Sequence, residues 1–166
     1  MRRGPSGFAL VMVLSCGMPA QAQSAAPSTA APEGLRTHLR SERFTPVTKV
    51  AALPAKLRDE LRDLFGDRTL ELADPGMPFQ ATDSVQLPRL PWRRLVAAGC
   101  SPDHCLVYYE RGGFVHVHYA VVFKVSADGT RFEFGGGAPR GLADLDAVKN
   151  AIATGNVLGQ KQTGNW

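Results

Sequence analysis

Residues 114–126 alternate in a strict two-residue rhythm. Val115, Val117, Tyr119, Val121, Phe123 and Val125 occupy the odd positions, and Phe114, His116, His118, Ala120, Val122 and Lys124 the even ones. Such alternation predicts a half-buried strand with the odd set on the core face. Asp128-Gly129 is a strong two-residue turn signal. A turn there pairs Val125 with Phe132, Phe123 with Phe134 and Lys124 with Glu133, so apolar meets apolar and plus meets minus. Gly112-Gly113 closes the preceding hairpin, with Tyr108 opposite Val117, Leu106 opposite Tyr119 and Tyr109 opposite His116. Residues 94–134 therefore read as a meander.

A helical rhythm flanks this meander on both sides. Residues 53–66 carry Leu57, Leu61, Leu64 and Phe65 on one stripe, with Pro54 in the first turn and Gly66 as a stop. Residues 142–154 carry Leu145, Val148 and Ile152, and Gly155 ends the run. Between the last strand and this second helix, residues 135–141 are glycine-rich and read as a loop. Residues 74–92 hold Pro75, Pro78, Pro88 and Pro91 and form no regular element. Met77, Phe79, Leu87, Leu90 and Trp92 there suggest a loop that wraps the domain, with a recognition loop as the sharper reading. The fold class expected is α+β: an antiparallel four-stranded meander sheet flanked by an N-terminal and a C-terminal helix.

The N-terminus adds a compartment. Arg2 and Arg3, the apolar residues 8–15 and Ala20-Gln21-Ala22 match a cleavable export signal over residues 1–22. Cys16 admits a lipoprotein signal as the lesser alternative. The apolar run is shorter than the roughly 20 residues of a spanning helix, and no later stretch approaches that length, so no transmembrane segment is expected. Residues 23–34, rich in Ala, Pro and Ser, read as a flexible lead, and residues 35–166 as a single α+β domain. The expected location is periplasmic or extracellular. Cleavage removes Arg2 and Arg3, so 19 basic residues become 17 against 15 acidic ones, and the net charge falls from +4 to +2. With no stripe of Lys and Arg, nucleic acid is not the expected partner.

The densest chemistry is GCSPDHCLVYYERGGFVHVHY, residues 99–119. Once the signal is removed, Cys100 and Cys105 remain. A turn through Pro102-Asp103 sets them opposite each other, so a disulfide is expected rather than a reactive thiol. His116 and His118, two apart on one strand, leave the same face, a recurrent metal-ligand geometry. His104 is the expected further ligand, with Asp103 and Glu133 near, and zinc or copper the ion. The plainer reading is a set of polar residues on an exposed face, on which Tyr109, His116 and His118 would form the ligand face. No phosphate-loop motif fits the glycine run, although Arg140 and the second helix's N-terminus could hold an anion. No G-x-S-x-G or H-E-x-x-H occurs, and the spacing of Asp103, Glu110 and Glu133 suggests no acid–base pair. No catalytic residue is assigned. The sequence points to a small exported, non-catalytic binding module for a protein or envelope component. The alternative is a metal-binding protein using His116 and His118. A third reading, an enzyme, would use Tyr109, His116 and His118.

Overall fold

Two runs of consecutive apolar side chains, residues 106–109 and 120–123, lie side by side in the middle of one sheet. A strand with no polar alternation must be covered on both faces. The computed structural model, which describes residues 1, 29–83, 89–160 and 166, shows how that is done. The elements are α1 (Glu33–Ser41), β1 (Thr45–Val47), a 3₁₀ turn (Val50–Ala52), α2 (Ala55–Phe65), β2 (Arg93–Cys100), β3 (His104–Arg111), β4 (Val117–Ser126), β5 (Gly129–Gly137), α3 (Leu145–Ala153) and β6 (Leu158–Gly159). The six strands make one antiparallel sheet whose spatial order follows the chain. The class is α+β as expected, but the sheet has six strands rather than four, and α1 is an additional helix. This helix begins at Glu33, inside the stretch that composition assigns to the lead.

One face of the sheet carries Val107, Tyr109, Tyr119, Val121 and Phe123 under Leu57 and Leu61 of α2, with Trp166 packed beside them. The other carries Leu106, Tyr108, Ala120 and Val122 under Leu35 and Leu39 of α1 and Val148 and Ile152 of α3. Both sets of strand residues are buried, so the even face is a second core and not a free surface. Arg36 and Arg40 of α1 donate to the carbonyl of Ala153, at 3.1 and 3.0 Å, at the C-terminal end of α3 where a cation is favoured. This ties the two helices together.

The expected hairpin registers are corrected at both turns. β3 pairs with β4 as Arg111 to Val117, Tyr109 to Tyr119, Tyr108 to Ala120 and Leu106 to Val122. The connection therefore runs over residues 112–116, and an odd shift moves every side chain to the opposite partner face. The proline-rich segment packs on this turn, where Thr82 bridges Gly113, and the Gly112 N–H extends the β2–β3 ladder to the Trp92 carbonyl at 3.0 Å. A Cβ on Gly112 would stand 1.9 Å from the Gln80 carbonyl oxygen, so the glycine is needed for that approach. At the next hairpin Ser126 pairs with Gly129, Lys124 with Arg131 and Phe123 with Phe132. The register then slips, so that Val122 meets Phe134. Lys124 is thus not opposite Glu133, which lies at the slip, where a bulge re-aims a side chain.

Residues 135–137, expected as a loop, belong to β5. A Cβ on Gly136 would lie 1.9 Å from the Leu158 carbonyl oxygen of β6, so bare backbone is what admits the last strand. The expected export signal with Cys16, and part of the 23–34 lead, fall outside the described residues. Among the described residues no helix is long and apolar enough to cross a membrane. Gly136→Ala should lower stability by about 1–3 kcal/mol through overpacking, whereas Gly137→Ala, where a Cβ meets nothing within 4 Å, should be close to neutral. Chemical denaturation of the two variants measures the contrast, and equal effects would refute it.

Candidate functional site

Four histidines and four carboxylates gather into two clusters at opposite ends of the β3–β4 pair. His104 lies opposite Lys124 at one end, and Glu110 lies opposite His118 at the other. Six residues of strand separate them, about 20 Å. His104 therefore does not join His116 and His118, and the expected three-histidine site is not formed.

At the first end the disulfide turn sets the geometry. Cys100 and Cys105 face each other across β2 and β3 with their Cα atoms 4.1 Å apart and are bonded. Inside the turn the Ser101 hydroxyl accepts from the His104 N–H at 2.9 Å and donates to Glu42 Oε1. Glu42 follows α1 directly, one helical turn after His38. Its Oε2 lies 2.8 Å from His104 Nδ1 and 3.5 Å from His38 Nε2. Asp103 Oδ2 stands 3.6 Å from the same His38 nitrogen. Glu133, brought over by the bulge in β5, meets His104 Nε2 at 3.0 Å. The Glu42 and His104 side chains are 7 % and 3 % exposed, while His38 and Asp103, at 47 % and 57 %, form an open rim. Three carboxylates thus meet here, and among the described residues their only ion-pair partners are histidines. Lys149 reaches the Glu42 backbone carbonyl at 3.4 Å, not its carboxylate.

At the second end the balance is reversed. Arg94 Nε and Nη2 each stand 2.6 Å from Glu110 Oε1. The same guanidinium stacks on Phe79, 4.4 Å above the ring, so the proline-rich segment holds the arginine in place. Glu110 Oε2 takes His116 Nε2 at 2.7 Å and has His118 Nε2 at 3.9 Å. The two imidazoles stack at 5.2 Å, and His118 stacks in turn on Tyr108 at 5.6 Å. Burial lowers the pKa of His118 below the ordinary histidine range against the pull of Glu110, and His116 and Arg140 push the same way. Tyr109 is not part of this group. It is fully buried on the other face against Tyr119 and Phe65, and desolvation raises its pKa far above the tyrosine range.

Sequence reasoning missed Glu42 and His38, whose i, i+4 spacing before the strands was the available signal, and Arg94. It named Glu110 without a partner, since the pairing depends on the register. The expected anion site at the second helix is also altered. Asp144 caps α3 by accepting from the Ala147 N–H at 2.8 Å, so a carboxylate already fills that position.

Compared with known proteins, the chain matches no protein-family model, no curated protein and no solved structure. Function must therefore be argued from the clusters themselves.

The lowered pKa of His118 has a consequence for stability. In the interval below the unfolded value, about 6.5, the unfolded chain binds the proton more readily than the folded one. Stability from this residue is present above that value and falls away as pH drops towards the lowered folded value. His118→Gln should flatten part of the acid limb of a Tm-against-pH profile, and an unchanged limb would contradict this.

Proposed function

We propose that this is an exported, non-catalytic binding protein whose ligand is a divalent transition-metal ion, zinc or copper. The ion would be taken up by His38, Glu42 and His104, with Asp103 on the open rim beside His38. The observation that carries the reading is the setting of His104. Its Nδ1 faces Glu42 Oε2 at 2.8 Å, and its Nε2 is backed by Glu133 at 3.0 Å. A metal-ligating histidine characteristically gives its other N–H to a carboxylate, which fixes the tautomer and strengthens the ligand nitrogen. Here Glu133 would play that part, and the Ser101 hydroxyl would hold the far oxygen of Glu42.

Charge supports the same reading. Carboxylates with no lysine or arginine within ion-pair distance among the described residues gain from a bound cation. Donor atoms, one each from His38, Glu42 and His104, lie within 4.8 Å of one another. Imidazole and carboxylate together suit zinc and copper, whereas calcium and magnesium favour all-oxygen sets. Glu110, His116 and His118 also converge within that distance, but Arg94 already neutralises Glu110. This favours the disulfide end over the His116–His118 pair. Export and the Cys100–Cys105 disulfide fit an oxidising compartment.

Chelator-stripped protein should take up a single equivalent of zinc by calorimetry, with Tm rising on addition. Glu133→Gln should weaken uptake about 10–100-fold, and His104→Ala more. Uptake should weaken on acidification, because a metal binds only deprotonated ligands. If His104→Ala binds like the parent, the reading is lost; if only the His116→Ala, His118→Ala double variant loses zinc, the metal belongs to the other cluster.

A second reading, docking to a protein or envelope partner, is favoured by the tip of the 112–116 connection. Phe114 and Val115 are 96 % and 67 % exposed there. A partner recovered from the native envelope should be lost with Phe114→Asp, and retention would reject this surface.

A further inference from the structure

The second cluster opens onto a cleft of about 240 Å³ lined by His116, His118, Gly137, Ala138, Arg140 and Gln160. Its electrostatics are the reverse of the metal cluster's. Both oxygens of Glu110 are engaged, Oε1 by Arg94 at 2.6 Å and Oε2 by His116 at 2.7 Å. The negative charge beneath the cleft is therefore already matched. Arg140 stands at the mouth, where its Nη2 makes only a long 3.4 Å contact with the His116 carbonyl. Among the described residues no carboxylate lies within ion-pair distance of Arg140.

The turn that carries Arg140 is held in place. The Tyr108 hydroxyl, from the middle of β3, donates to the Pro139 carbonyl at 2.8 Å. The Ala138 N–H donates to the His118 carbonyl at 2.8 Å. An exposed guanidinium on a braced turn, lining the same cleft as His118 and with both oxygens of Glu110 already engaged, is a donor set lacking an acceptor.

We propose that this cleft binds a phosphate-type oxyanion. Arg140 supplies the charge and fork-shaped donor set, and His118, whose Nε2 lies 3.9 Å from Glu110 and is not hydrogen-bonded to it, supplies a further N–H. The cleft is several times the roughly 30 Å³ share of one water, so a phosphate ester fits as well as the free anion. The site shares no residue with the metal cluster, and either can fail without the other.

The test is calorimetric titration of the chelator-treated full chain with inorganic phosphate and, separately, with glycerol phosphate. Saturable binding is expected. Arg140→Ala should weaken it about tenfold or more, the scale of one charge-assisted hydrogen bond, and His118→Ala should weaken it as well. Lys56→Ala, which removes an exposed cation from α2, should leave binding unchanged. Tighter binding of glycerol phosphate would identify an ester as the ligand, and equal binding the free anion. Absence of saturable heat from both at millimolar concentration overturns the proposal. So does an Arg140→Ala variant that binds like the parent, or binding that appears only after zinc is added, which would place the anion on the metal.

Discussion

The pairing of β3 with β4 decides almost everything else. Both strands are buried on both faces, so their register fixes which side chains enter each core and which stand together at the strand ends. An even shift would misalign neighbours, but an odd shift exchanges the faces. The observed register puts Tyr109 on Tyr119 under α2 and Tyr108 beside His118 under the other layer. Burying these central residues on both sides is the main gain from folding, at roughly 25 cal/mol for each Å² of apolar surface removed from water. The polar residues of the same strands are left at the two ends of the second core.

Those ends use similar side chains and reach opposite electrostatic states. Each joins histidines to a glutamate that is nine-tenths or more buried. At the disulfide end the neighbours are Asp103 and Glu133, and the histidines are the only counter-charges within reach among the described residues. At the far end Arg94 and Arg140 flank the histidines. The sign of the ligand each cluster suits follows from these neighbours rather than from the histidines. A histidine motif read without its surroundings has no sign, because neutral imidazole can ligate a cation through its lone pair or donate its N–H to an anion.

Much of the fold was legible along the chain. The stripe of Leu57 and Leu61, the stop at Gly66, the α3 stripe of Val148 and Ile152 and the facing cysteines all depend on short-range spacing, and all are found. The two-sided burial was present in the unbroken apolar runs at 106–109 and 120–123, but the neat alternation of residues 114–126 outweighed it. Leu35 and Leu39 mark α1, yet only two apolar positions carry it and it starts within an Ala/Pro/Ser-rich stretch, so composition hid it. β6 is too short to carry any pattern.

The clusters were legible only in fragments. His116 lies in the connection just before β4 rather than on the strand, yet stacks on His118 two residues on, and Cys100 and Cys105 meet by turn geometry alone, since both involve near neighbours in sequence. The amino-acid order by itself determined the α+β class, the clamped turn and the nearness of the two imidazoles, but not that His116 falls outside β4. The tertiary structure decided the rest: Glu42 on His104, Glu133 behind it, Arg94 on Glu110 and Tyr109 on the opposite face. These contacts join segments 16 to 62 residues apart. They depend on a bulge in β5 and on a long turn against which residues 80–82 pack, and local propensity encodes neither.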